Sequence, residues 1–354
     1  MSAKQINGYS ECVYSLVTAL GAVWAIDRPH HARRILELVP KDSIAQHESM
    51  VTLCDAELKC GEIASIRTKS SVALGSPDKT GTQHARIRLL LGGAELGCGE
   101  LEKATELFEV ALRDANDQGD IQLVANLHAG LGLVHLRKGS LDRARTHSEQ
   151  ALELCTKHNM ERGVATCLGN LGVISIHAND INGAIDCYER ALVLHRETGF
   201  KNGEAVQIAN LGDAWREKGE FAKAFALLKT ACQAFLQSSN HRSEAETQAI
   251  IGQTLFEQAV SKRNFSNEDT EGQVEKARES AERAISLYAG LGRDPLYRMK
   301  LTLALCEETL GNLEEAKKLA ASALEIASEW SITENSHSFM HRRGIKEAKR
   351  ILGR

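Results

Sequence analysis

A chain of 354 residues with 43 basic and 47 acidic side chains carries a formal charge of only −4, so no global field draws it to nucleic acid or an anionic membrane. Four prolines against 28 glycines, with 5% aromatic and 43% apolar residues, suit a helical protein. Nine cysteines, none in a CxxC pair, argue against a disulfide framework or a zinc site and for free thiols filling a core in a reducing compartment.

Taken in order, residues 9–40 form a first, degenerate helical pair: Asp27-Arg28-Pro29 breaks the chain and Pro40 closes the second helix. The uncharged run from Cys12 to Ile26 is shorter than the ~20 residues that span a bilayer. It is read as an inner helix rather than a signal or anchor. A second pair follows from about Ile44 to Ala73, and residues 75–81 (GSPDKTG) make a loop.

From there a pattern repeats every forty residues. Leu91-Gly92, Leu131-Gly132, Leu171-Gly172, Leu211-Gly212 and Ile251-Gly252 stand in one column. Seven residues past these glycines come Gly99, Gly139, Asn179 and Gly219, then an apolar residue two further on, then two alanines seven apart (Ala144/Ala151, Ala184/Ala191, Ala224/Ala231). A period of this size marks stacked helical units whose cores are completed by neighbours. The glycine of Leu-Gly lets the partner helix come close, and the Gly or Asn that follows ends the first helix in the left-handed conformation. The polar stretch 261–272 delays the next alanine pair and is expected to be a loop inserted between two helices. Residues 293–330 restore the pattern through Gly311, Leu313, Ala316 and Ala323, and 331–354 is expected to form a basic capping helix.

The segments NLGVISIHANDINGAIDCYERALVLHRETG and NLGDAWREKGEFAKAFALLKTACQAF resemble tetratricopeptide (TPR) repeats in their Leu-Gly pair, turn residue, alanines and aromatic (Tyr188, Phe108). The forty-residue form is similar to Pins/LGN-type adaptors, kinesin light chains and bacterial peptide-sensing regulators. Arg88, His128, Leu168 and Ile208 stand where that family places an early aromatic. The resemblance implies an all-α, right-handed α-solenoid of about eight helix-turn-helix units: degenerate pairs over 1–81, a regular array over 82–262 continuing at 273–292, a last unit and the cap.

Catalytic signatures are missing: there is no GxxxxGK[ST], HExxH or GxSxG. The glycine-rich run 91–99 is explained by the repeat. His128 and His135 share a helix face without an evident third metal ligand. Asp114, Asp117 and Asp120 straddle a unit junction without the glycine and terminal Glu of a calcium loop. No cofactor is expected, and the chain reads as non-enzymatic. The basic C-terminal run (Arg342, Arg343, Lys346, Lys349, Arg350) is read as a solvated face, with nucleic acid the less favoured partner.

The resemblance also implies that the first helix of each unit lines a concave groove. Arg86, Asn126, Arg137, Asn170, His177, Asn210, Asp213, Arg216, Glu217 and Gln253 fall beside the packing face and are the candidate partner-binding residues. An Asn amide both donates and accepts, so Asn170 and Asn210 suit the backbone of a bound peptide. The expected partner is a protein or peptide segment, in a cytoplasmic scaffold or, alternatively, a sensor that binds a short signalling peptide. The terminal units are a candidate self-association surface.

Overall fold

The computed structural model describes residues 81–238, 240–262, 268–288, 296–329 and 339–353, with single helical residues at 68, 70 and 74. The expectations for Cys12–Ile26, the first two helical pairs and the self-association surface they would offer lie outside them. The described chain is all α-helix: α1 (Gly81–Cys98), α2 (Leu101–Gln118), α3 (Ile121–Arg137), α4 (Leu141–Lys157), α5 (Glu161–His177), α6 (Ile181–Glu197), α7 (Lys201–Glu217), α8 (Phe221–Gln237), α9 (His241–Lys262), α10 (Glu268–Tyr288), α11 (Leu296–Thr309), α12 (Leu313–Glu329) and α13 (Phe339–Ile351). The chain divides into two compact units, 1–127 and 128–354, the boundary falling inside α3.

In the first unit α1 packs on α2. A Cβ on Gly92 would lie 2.3 Å from the Phe108 ring, so only glycine admits the aromatic there. Across the pair, Arg88 meets Asp114 at 2.6 Å and Arg86 meets Asp120 at 3.3 Å. Two of the three aspartates considered for calcium are thus paired with arginine.

The second unit repeats this construction. Tyr188 on α6 covers Gly172 on α5, Leu228 on α8 covers Gly212 on α7, and Ser148 on α4 covers Gly132 on α3. Each helix packs on the next from α4 to α12, and the odd-numbered helices α5, α7, α9, α11 and α13 also touch in series, forming one inner row. This is an α-solenoid of packed helix pairs. The core of one pair runs into the next: Ala184, Ile185 and Tyr188 of α6 are clustered with Leu211 and Ala214 of α7.

Turns end the inner helices as the sequence implies: Gly99, Gly139, Asn179, Gly219 and Gly311 have φ between 66° and 88°. A second left-handed column was not anticipated. Gly119, Asn159 and Gly199, again forty apart, have φ of 67°, 53° and 66° at the turns between units.

One expectation changes. The stretch 261–272 is not a loop throughout: α9 runs on to Lys262 and α10 begins at Glu268. These helices have 22 and 21 residues where α7 and α8 have 17 each. The stretch thus includes the C-terminal end of α9 and the N-terminal end of α10.

Candidate functional site

Helix ends on the inner row create the site. Because α3, α5 and α7 finish in the same column, the forty-residue period places Arg137, His177 and Glu217 at their last positions, with Glu257 the next member on α9. One turn earlier the same logic gives Asp213 and Gln253. Glu257 is not among the candidates from the sequence, although the period points to it.

Arg216 is the centre of this polar layer. Its side chain is fully buried, and its Nε and Nη2 donate to Asp213 Oδ1 at 2.9 and 2.7 Å. Nη1 donates to Glu257 Oε2 at 2.9 Å, and Nη2 also meets Glu217. Burial alone would pull the guanidinium pKa down, but Asp213, Glu257 and Glu217 together drive it well above its ordinary value. Asp213 shows the reciprocal effect: burial opposes its charge, yet Arg216 and Arg298 hold its carboxyl below the usual range. Gln253 joins the layer, accepting from Arg298 at 3.0 Å and donating to Glu257 at 3.2 Å. In His177, burial first and then Arg298 and Arg137 lower the imidazole to about 4, so it is neutral near pH 7.

Beside this layer lies a cavity of about 770 Å³ bordered by α7, α9, α11 and α13. Phe221, Phe256, Tyr297, Leu301 and Leu305 supply apolar walls, and the Arg216 layer supplies polar ones. A mostly apolar hollow with a few placed polar groups is the usual form of a ligand site. Arg343 of α13 reaches its rim, with Nη2 at 3.1 Å from Glu257 Oε1 and Nη1 at 3.5 Å from Glu217 Oε2. Arg350, one helix end away, grips Glu308 with two nitrogens at 2.9 and 2.6 Å. The basic run is therefore not simply a solvated face: two of its arginines are directed onto carboxylates of the solenoid.

Of the ten candidates, Asp213, Arg216, Glu217 and Gln253 come together in this layer, with Arg137 and His177 electrostatically coupled to one another and to Arg298 or Asp213. Asn170 and Asn210 are half-buried on α5 and α7, and Asn210 Nδ2 lies 3.4 Å from Gln207 Oε1. Arg86 and Asn126 belong to the first unit, Arg86 paired with Asp120 and Asn126 exposed on α3. Arg298 and Tyr297 were not singled out from the sequence, and Arg343 stood there only as part of the basic run.

His128 and His135 do acquire a third imidazole. His147 of α4 lies with Nδ1 at 3.0 Å from His128 Nδ1 and stacks on His135 at 5.3 Å between centroids. Burial and then His147 lower His135 to about 4. Even so, among the described residues no group of three or more His, Cys, Asp or Glu is arranged to hold a metal ion. No described helix is long and apolar enough to cross a membrane.

The packed pairs, the glycine-covered core and the inner row define an α-helical repeat solenoid. Residues 123–197 match the family model described as tetratricopeptide repeat, the repeat that the sequence resembles. Its fold is similar to that of a Rap protein solved in complex with competence and sporulation factor (15% identity, TM-score 0.63, covering 98% of this chain and 99% of that one). It is also similar to a signal-transduction ATPase with a tetratricopeptide repeat sensor from Pyrococcus horikoshii (18%, TM-score 0.55, 97% and 50%). A third likeness is to a chain of an APC/C hetero-tetramer (16%, TM-score 0.58, 92% and 52%). None of the curated protein sequences is significantly similar.

Proposed function

We propose that this protein is a non-enzymatic, cytoplasmic interaction scaffold that holds a peptide or protein segment along its inner helix row. The observation carrying this reading is the convergence of Asp213, Arg216, Glu217, Gln253 and Arg298 beside a half-apolar cavity. Such a surface offers donors, acceptors and apolar walls together, which suits a polypeptide better than a uniformly charged polymer. The free cysteines of the described residues fit a reducing compartment.

The test is affinity capture with wild type and Asn170→Ala/Asn210→Ala. A partner lost from the double variant, with helicity and melting intact, supports binding on the inner row. A partner retained moves binding elsewhere. A second reading, a sensor of a short signalling peptide, is favoured by the end-to-end similarity of fold to a Rap protein solved with such a factor. Small-angle scattering separates the two: a sensor compacts or expands when peptide is added, whereas a scaffold keeps its dimensions.

A further inference from the structure

Three carboxylates, Asp213, Glu217 and Glu257, surround the buried guanidinium of Arg216, leaving an excess of negative charge that one cation cannot offset. The Glu217 side chain is 4% exposed and that of Glu257 is 17% exposed, so water screens them poorly. Arg298 already faces Asp213, and a third cation completes the layer from far along the chain: Arg343 lies 86 residues beyond Glu257. Unlike Arg216, whose side chain is wholly enclosed, Arg343 is 48% exposed and approaches each carboxylate through one nitrogen only.

The rest of α13 is held independently of that contact. Arg350 makes a two-pronged pair with Glu308 and is further tied to Glu347. Ala348 and Ile351 pack in the cluster built on Leu301, Ala304, Ala316 and Ala320, and Ile345 packs with Tyr297 and Ile326. The Arg343 side chain can therefore leave the two glutamates while α13 stays docked. On leaving it uncovers buried carboxylates at the edge of a cavity with apolar walls.

We propose that Glu217 and Glu257 form a cation subsite for an arginine of a bound peptide, whose neighbouring apolar side chain enters the Phe256–Tyr297–Leu301 cavity, and that Arg343 is an internal occupant this arginine displaces. The chemistry selects the ligand: two carboxylates prearranged around a guanidinium accept a planar, multi-donor cation, and the cavity beside them rewards an apolar side chain. This inference rests on the proposed function and specifies one end of the peptide it holds.

The experiment measures binding of two fluorescent pentapeptides, acetyl-Ala-Leu-Arg-Leu-Ala-amide and its isosteric citrulline analogue, to wild type, Arg343→Ala, Arg343→Gln and Glu257→Gln. Removing the internal competitor should tighten the arginine peptide about ten-fold in both Arg343 variants, since a site occupied by its own side chain binds in proportion to its open fraction. The citrulline peptide should gain nothing, and Glu257→Gln should weaken the arginine peptide. Arginine and citrulline peptides binding equally well to every variant would overturn the Arg343 exchange while leaving groove binding standing. Failure of both peptides on all four proteins would overturn the exchange, and loss of wild-type capture in the Asn170/Asn210 comparison decides separately whether the groove binds polypeptide. Arg343 lies on the exposed side of α13, and circular dichroism of both its variants verifies that the helices persist.

Discussion

Substituting Gly172 by Ala tests the packing logic most directly, because propensity and packing pull in opposite directions. Alanine in a helix interior is favoured over glycine by about 1 kcal/mol. Against this, the new Cβ would stand 2.4, 2.7 and 2.9 Å from three atoms of the Tyr188 ring. That ring is 2% exposed and packed among Leu211, Ala214 and Ile176, so it cannot swing aside without disturbing the next pair. Overpacking of this kind costs about 1–3 kcal/mol, and against an enclosed ring the upper part of that range applies, leaving an expected net loss of up to about 2 kcal/mol after the propensity gain. Gly272→Ala is the matched control, since nothing lies within 4 Å of a Cβ there. It should stabilise by up to about 1 kcal/mol. Solenoids need not unfold in one step, so the assay is native-state hydrogen exchange of α5 and α6 alongside urea denaturation. In a Tyr188→Ala background the penalty of Gly172→Ala should vanish and the propensity gain emerge. A loss of the same size in both backgrounds would refute the ring contact as its cause.

The remaining predictions concern charge and burial. Arg216→Leu should destabilise by about 3–5 kcal/mol, because it leaves Asp213, Glu217 and Glu257 without their buried cation; a chemical-denaturation midpoint equal to wild type would contradict that. His135 and His177, both lowered to about 4 by burial first, accept protons in the unfolded chain near 6.5 but not yet in the folded one. Stability should therefore fall as pH drops from about 6.5 to about 4 and stop falling through these groups below that. At about 1.4 kcal/mol per pKa unit, reduced because solvent partly reaches both residues, the loss is roughly 1–2 kcal/mol per ring. A His135→Gln/His177→Gln variant should lose most of this slope between pH 7 and 4.5, and an unaltered slope would exclude both rings as its source. The Cys167 and Cys306 thiols, pushed up to about 12 by burial, should react with a disulfide reagent only on unfolding; rapid labelling of either in native protein would contradict their enclosure.

The repeat was legible because its constraints are steric and recur. A glycine that must admit a ring at 172 and 92, and a residue that must turn left-handed at 139, 179 and 219, leave few choices, so the same letters return every forty positions. The second turn column at 119, 159 and 199 is as strict geometrically, but its middle member is Asn and Ser239 follows in register, which blurs it in sequence. The extension of α9 and α10 was illegible for a different reason. Residues 261–272 are almost wholly polar and show no apolar period, the signature a loop also carries, so spacing does not mark where α9 ends and α10 begins.

The site residues obey weaker rules. Arg137, His177, Glu217 and Glu257 share one column yet carry three different side-chain chemistries in sequence order, a cation, a neutral imidazole and two carboxylates. Only the period, not composition, links them. Arg216, one position away, falls beside the packing face in the register, which predicts that it points into the groove. The structure instead buries it, and the reason is arithmetic along the chain. Residues 213 and 217 flank it on its own helix, and 257 arrives from the next inner helix exactly one period after 217, so three acceptors converge on one side chain. Neither Asp213, Glu217 nor Glu257 marks that convergence alone. It exists only once α7 and α9 are stacked, and the cation that answers the remaining charge, Arg343, comes from a helix whose register the forty-residue count does not reach. The fold is written in local spacing, whereas the charge balance at its inner row is written in contacts between units, and those contacts set where a ligand's own charge must fall.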